Sequence, residues 1–281
     1  MPVPTVDLSA PDGPVAIPQL GFGVWQVPDD EARTAIEIAL RDGYRHIDTA
    51  RLYHNEEGTG AAIAASGIPR DQVFVTTKLW NDDQGRGRTE AAFEGSLGRL
   101  GMDYVDLFLI HWPAPAHGLY AETWEILLEL RDSGRTRAAG VSNFQPAHLE
   151  AAHARTGEWP ALNQIELHPY LQQKELRAFH AEHGIVTEAW SPLASGKEVM
   201  DDPVIRGIAE KHGCTPAQAI IAWHLAIGNV VIPKSVTPAR IAENFAALDV
   251  ALDADDLAAI DGLDRGMRTG PHPDEFSGDP Q

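Results

Sequence analysis

The chain has 281 residues, 43% hydrophobic and 22% charged, which excludes a disordered polymer and leaves room for one large domain or two small ones. Lys and Arg number 22 against 41 Asp and Glu, and the resulting charge of −19 makes nucleic acid and anionic membranes unexpected partners. No apolar run reaches the roughly 18 residues of a membrane span. The opening MPVPTVDLSAPDG lacks the basic start and apolar stretch of a secretory signal. The single cysteine, Cys214, permits no internal disulfide and suggests a cytoplasmic, reducing home.

From the N-terminus, residues 5–8 and 15–17 flank Asp12-Gly13 and read as a hairpin over one mouth of whatever follows. Apolar runs at 19–23, 44–48, 73–78, 105–111, 138–142, 161–166, 186–190 and 230–233 read as strands. Within them FVTT, LFLI, AAGV and VVIP show no polar alternation, as parallel strands covered on both faces require. Helical spacing fills the gaps at 30–42, 89–100, 120–132, 146–155, 174–183 and 215–227. In the first of these, Ala32, Ala35, Ile36, Ala39 and Leu40 share one face. Eight strands alternating with helices favour a single (β/α)8 TIM barrel over residues 1–281. A doubly wound sheet would open with a glycine-rich nucleotide turn, and Gly21-Phe22-Gly23 lacks the third glycine. Residues 265–281 are rich in Gly, Pro and Asp. They read as a free tail or a loop folded near the mouth, and Phe276 with His272-Pro273 favours the loop.

Barrel chemistry collects where strands end at the C-terminal face. Strand ends supply Asp48, Lys78 and His111, and Tyr53 follows Asp48 by five residues. A tyrosine hydroxyl titrates near 10 in water, too high for an efficient neutral-pH acid. An ammonium at about 4 Å would favour the phenolate by up to ~4 kcal/mol and bring the phenol toward working pH. Asp48 would keep Lys78 charged and aimed, and His111 would orient a substrate oxygen. Each residue alone has a structural reading: a helix cap, a surface pair, a core histidine, a packing tyrosine. Together, at and after three successive strand ends, they suit protonation of an oxygen as negative charge grows on it.

Trp25, Trp80, Trp112 and Trp190 all lie within two residues of a strand end, which suggests an apolar pocket with one ring free to stack on a flat ligand. Lys234 and Ser235 end the last strand, and Arg240, Glu243 and Asn244 follow at a helix start; two cations and a hydroxyl there suit a phosphomonoester. His180 and His183 lack companion ligands and read as a solvated face, so no metal is expected. Cys214, before the N-cap Thr215 and Pro216, has no activating base and reads as inert.

These residues sit in segments that resemble the aldo-keto reductase family. They are Gly43-Tyr44-Arg45-His46-Ile47-Asp48-Thr49-Ala50 with Tyr53, Asn55 and Glu56; Thr76-Thr77-Lys78-Leu79-Trp80; Leu109-Ile110-His111-Trp112-Pro113; Gly140-Val141-Ser142-Asn143-Phe144; Asn163-Gln164-Ile165-Glu166-Leu167-His168-Pro169; and Ile232-Pro233-Lys234-Ser235. In appearance the chain is most similar to bacterial 2,5-diketo-D-gluconate reductases, in residues 61–68 and 272–275 as well. The resemblance implies a (β/α)8 monomer that uses NADPH, without a metal, on a small carbonyl substrate. It implies Tyr53 as general acid, Lys78 and Asp48 as its tuners and His111 as the orienting residue. Ser142, Asn143 and Gln164 would hold the nicotinamide carboxamide and Trp190 would stack on the ring. Ser191, Leu193 and Lys197 would lie by the pyrophosphate. Lys234, Ser235 and Arg240 would clasp the 2′-phosphate, with Glu243 and Asn244 at the adenine. Trp25, Trp80 and Trp112 would line the substrate pocket, and aldehydes, ketones and keto-sugars are the expected substrates. Two rivals remain at this point: a non-catalytic NADPH-sensing subunit, and a Schiff-base aldolase using Lys78 or Lys234.

Overall fold

The structure, a computed structural model, describes residues 3–196 and 198–278. Strands β1 (Thr5–Leu8) and β2 (Val15–Pro18) pair antiparallel, with Leu8 opposite Val15, as the hairpin reading required. Eight more strands follow: β3 (Phe22–Gly23), β4 (His46–Asp48), β5 (Phe74–Leu79), β6 (Val105–Ile110), β7 (Thr136–Ser142), β8 (Leu162–Glu166), β9 (Val186–Trp190) and β10 (Val230–Val231). They pair in chain order and every neighbour is parallel. The ends then meet. Leu20 bridges Val231, the Gly21 N–H donates to the Val231 carbonyl at 2.9 Å, and the Gly23 N–H donates to that of Pro233 at 3.2 Å. The sheet therefore closes as the TIM barrel expected, and its first and last strands touch over more residues than the regular ladder covers. Gly21 is required at this seam, because a Cβ there would lie 2.4 Å from the His46 ring.

The outer layer carries ten helices among the described residues: α1 (Asp29–Asp42), α2 (Glu56–Ala65), α3 (Arg88–Leu100), α4 (Tyr120–Asp132), α5 (Pro146–Thr156), α6 (Lys174–His183), α7 (Pro203–His212), α8 (Pro216–Ala226), α9 (Pro238–Phe245) and α10 (Ala254–Asp261). In α1 the buried residues are the five that the spacing selects, and the helix stops at Gly43, whose φ of 117° is left-handed. Thr215 caps α8 in a reciprocal box with Gln218, with Pro216 at the first turn. Helices α2, α7 and α10 were not expected from the sequence.

Two apolar clusters divide the interior. The larger fills the space between strands and helices. The smaller joins Leu8, Val15 and Ile17 of the hairpin to Phe74, Leu107, Leu109, Ala138, Leu162 and Val230. The hairpin thus seals the end of the cylinder where the strands begin, and leaves only their C-terminal ends open to a ligand.

Candidate active site

Parallel pairing fixes where the polar side chains meet. Asp48 lies opposite Thr76 on β5, so Lys78, two residues on, projects from the same face one step nearer the mouth. Tyr53 ends a short 3₁₀ turn (Arg51–Tyr53) after β4, and His54 follows at φ 55°. Asn55 locks this turn: its amide donates to the Val24 and Val27 carbonyls, each at 2.9 Å, and accepts from Thr49 Oγ1 at 2.7 Å.

The turn delivers the phenol to the lysine. Lys78 Nζ donates to Asp48 Oδ1 at 2.5 Å, to the Thr49 carbonyl at 2.9 Å and to the Tyr53 hydroxyl at 3.4 Å. All three ammonium hydrogens are thereby used in a fully buried position. His111 follows β6 and presents its ring edge-on to Tyr53, with centroids 5.6 Å apart, and to Trp80 at 5.2 Å. The four expected catalytic residues form one group.

Burial dominates the electrostatics. It would depress Lys78, but the charges of Asp48, Tyr53 and Glu188 outweigh it and raise the ammonium above its ordinary range. Burial also pushes the Asp48 carboxyl up, against the pull of Lys78. His111 falls well below the usual imidazole value, through burial and then Lys78, so it is neutral at neutral pH. Tyr53 departs from expectation. Lys78 does favour its phenolate, but the lost hydration is the larger effect and the phenol is pushed up to about 12. The site therefore holds an intact phenol poised over a permanent cation, not a half-ionised one.

A second group adjoins the first. Ser142 Oγ donates to the Gln164 carbonyl at 2.9 Å, and Asn143, at φ 64°, donates through its amide to the His111 carbonyl at 3.0 Å. Trp190 Nε1 donates to Asn143 Oδ1 at 2.8 Å. Gln164 Nε2 donates to Asp48 Oδ2 and to Glu188 Oε2, both at 2.8 Å. Gln164 and Asn143 thus bond directly to Asp48 and to the His111 backbone, and Ser142 and Trp190 join the acid group through them.

Other expected residues scatter over the rim. Ser191 follows Trp190 at φ 50°, and Leu193 packs on the core; Lys197 lies outside the described residues. Lys234 and Arg240 are exposed and, among the described residues, have no acidic partner, while Ser235 Oγ accepts from the Thr237 N–H at the start of α9. Asn244 is buried in α9. The Glu243 carboxylate accepts from Thr215 Oγ1 at 2.7 Å and so ties α9 to α8. Trp80 and Trp112 are buried at the mouth, and Trp112 lies 6.4 Å from Trp190, centroid to centroid. Trp25 is 44% exposed and joins none of these ring contacts. The solvated-face reading of His180 is wrong: strand β9 covers it, and it bonds Asn163 and Thr187, each at 2.9 Å. His183 stacks on Trp159.

Residues 265–278 fold over the mouth. Buried Glu166 accepts from the Thr269 N–H and hydroxyl, both at 2.6 Å, and from the Gly270 N–H at 3.2 Å. Phe276 then reaches Trp112 at 4.6 Å and Trp80 at 6.4 Å.

Residues 19–265 match the aldo/keto reductase family, which spans most of the chain. The chain belongs to the aldo/keto reductase family. An aldo-keto reductase of Mycolicibacterium smegmatis is 55% identical over 262 residues, covering 93% of this chain and 95% of that protein. The methylglyoxal reductase DkgA of Escherichia coli K12 is 54% identical over 276 residues, 98% of this chain and 99% of its own. A mutant of Gox0644 in complex with NADPH superposes with a TM-score of 0.91 at 48% identity, over 97% of this chain and 99% of its own.

Three participants in the reductase site escaped the sequence reading. Thr49 contributes a carbonyl to Lys78, which no side-chain pattern reveals. Phe276 reads from the sequence only as an anchor of the last segment, not as a ring packed on Trp112. Glu188 had a usable signal: it stands two residues before Trp190 on β9, so the two share the inward face.

Proposed function

We propose that this chain reduces the carbonyl of a small aldehyde, ketone or keto-sugar to an alcohol, using NADPH. The observation that carries the reading is the Tyr53 hydroxyl held on a buried Lys78 ammonium that Asp48 keeps charged. NADPH, when bound, supplies the hydride. Tyr53 gives its O–H proton to the substrate oxygen, and the transfer runs downhill because an alkoxide is a stronger base than a phenolate. Lys78 stabilises the phenolate left behind, and Asp48 holds the ammonium in line. His111, neutral, turns the carbonyl oxygen toward Tyr53.

The residues present fit the cofactor. Gln164 has both amide hydrogens engaged below, which leaves Oε1 to accept from a carboxamide N–H. Ser142 and Asn143 complete that contact and Trp190 offers its ring. Lys234, Ser235 and Arg240 suit the 2′-phosphate, since unpaired cations are conspicuous in a chain of charge −19. Trp80, Trp112 and Phe276 give the substrate aromatic walls, which favours small aldehydes and 1,2-dicarbonyls; the name carried by the E. coli relative supports that class. The chain reads as cytoplasmic on its single cysteine, and as a monomer on what the family resemblance implies. The aldolase alternative loses ground because Lys78 is held in its charged form, with no lone pair for a carbonyl carbon, and Lys234 is exposed rather than set in an apolar pocket.

Following NADPH oxidation with methylglyoxal and 2,5-diketo-D-gluconate tests the reading. Tyr53→Phe should cut turnover by roughly 10²–10⁴-fold while NADPH still binds; retained turnover removes Tyr53 as the acid, and no turnover in the unaltered chain favours the sensor alternative. Arg240→Ala should weaken NADPH binding about tenfold or more and leave NADH nearly unchanged, and equal losses would place the 2′-phosphate elsewhere.

A further inference from the structure

The floor of the site holds one ionisable group too many. Asp48, Lys78, Gln164 and Glu188 each expose 2% or less of their surface, and the four form a continuous chain across β4, β5, β8 and β9. Two of them are carboxyls and one is a cation. Asp48 takes the ammonium. Glu188 receives one amide hydrogen of Gln164 at Oε2, while its Oε1 is buried without a hydrogen-bond partner. The groups that face Glu188 are Asp48 and His46 from β4, Lys78 from β5 and Gln164 from β8; its partner on β10, Val230, carries no charge.

An unshared second carboxylate in such a place is costly, and the group neutralises instead. Burial, and then the neighbouring Asp48 charge, push Glu188 up to about 8. Its proton belongs on Oε1, because Oε2 already accepts from Gln164. His46 Nε2 stands 3.7 Å from Oε1 and meets Thr76 Oγ1 at 3.2 Å, and His46 is neutral, since burial drives it down to about 3. The orientation of Gln164 follows as well. The atom between the two carboxyls must be the donor nitrogen, because an amide oxygen there would face the Asp48 carboxylate.

We propose that Glu188 is a positioning residue of this reductase: un-ionised, it holds Gln164 with both amide hydrogens turned inward and its oxygen toward the nicotinamide, and it keeps a second negative charge from beneath Tyr53. This rests on the cofactor reading given under Proposed function. Above its titration range Glu188 carries a charge that makes Tyr53 hold its proton more tightly, so turnover falls on the alkaline side. Tyr53 and Lys78 stay protonated there, His111 stays neutral and Asp48, bonded to the Lys78 ammonium, is the carboxyl that already carries the charge, which leaves Glu188 as the group in this network that changes state.

Two substitutions test it. Glu188→Gln keeps the shape and the acceptor but never ionises. It should keep kcat/KM within about threefold at pH 7 and lack the alkaline fall, centred near pH 8, that is expected of the unaltered enzyme. Glu188→Leu removes the acceptor. It should weaken NADPH about tenfold, read by quenching of tryptophan fluorescence, and leave 2′,5′-ADP, which lacks the nicotinamide, bound as before. An unchanged alkaline fall in Glu188→Gln, or unchanged NADPH affinity in Glu188→Leu, overturns the proposal. If Glu188→Leu does not fold, the pH profile of Glu188→Gln decides alone. Gln164→Ala separates the layers. A loss of NADPH there without a loss in Glu188→Leu sinks the role of Glu188 only. No loss in Gln164→Ala sinks the placement of the nicotinamide, and the proposal with it.

Discussion

The two ends of the cylinder solve the same packing problem with opposite chemistry. At the start of the strands, Leu8, Val15 and Ile17 of the hairpin close on Leu107, Leu162 and Val230, and the filling is apolar. Toward the mouth the inward positions are His46, Asp48, Thr76, Lys78, Gln164 and Glu188, all buried. Each end also buries an aspartate, and the contrast is instructive. Asp106 accepts from Arg70 Nη2, from Arg137 Nη1 and from the Val75 N–H, each between 2.8 and 2.9 Å. Its arginines remain partly exposed, at 24% and 45% of their side chains. Asp48 shares one fully buried lysine with Glu188 close by. The lower end has cations to spare and water at hand; the upper end is short of positive charge and dry. A site meant to move protons is built from the second kind of environment, because only there do single protons change the energy substantially.

The largest expected departure between the two ends comes from Lys78→Met. Removing the cation beneath Tyr53 strands Asp48 and should cost about 3–5 kcal/mol in urea unfolding at pH 8. The cost should shrink toward pH 5. Without its counter-ion the buried Asp48 titrates higher still, so the folded state binds more protons than the unfolded chain and stability falls as pH rises. Equal losses at both pH values would mean that Asp48 is not held as a buried charge. Next in size is Leu107→Ala in the plugged end, at about 2–5 kcal/mol by the same measurement. NADPH affinity and kcat should barely move in that variant, and a matching loss of turnover would undo the separation of the two ends. Arg137→Ala should be smallest, below about 1 kcal/mol, since its guanidinium is half in water and Arg70 still holds Asp106. A cost of several kcal/mol there would show that the lower carboxylate is as dependent on one partner as the upper.

Helix α2 and the acid floor illustrate where sequence reading stopped. In α2 (Glu56–Ala65), Gly58 and Gly60 pack against backbone: a Cβ at Gly58 would lie 2.2 Å from the Asp29 carbonyl, and one at Gly60 2.0 Å from that of Leu100. Only Ala62 and Ile63 of this helix enter the main core, and much of its packing is backbone approach at glycine, so it shows no broad apolar face. Helix α7 differs; Asp202 caps it and Pro203 opens it, and those signals stood in the chain to be read. The height of the Tyr53 pKa lay outside sequence reasoning for another reason. Lys78 and Tyr53 can be paired on paper, but the loss of hydration is set by everything that covers them.

By itself the sequence determined the alternation of strand and helix, the closure into a barrel and the residue types at each strand end. These rest on local periodicity and on the handed, parallel connectivity that leaves few other arrangements. It also supplied the four residues of the acid group, because strand ends in a barrel converge whatever their spacing along the chain. Tertiary structure decided the rest: that Glu188 and Asp48 share one amide, that residues 265–278 bring Phe276 onto Trp112, and that Trp25 keeps 44% of its surface exposed. Those outcomes depend on distance and on dielectric surroundings. Both are collective properties of the folded interior, and no linear order of side chains encodes them residue by residue.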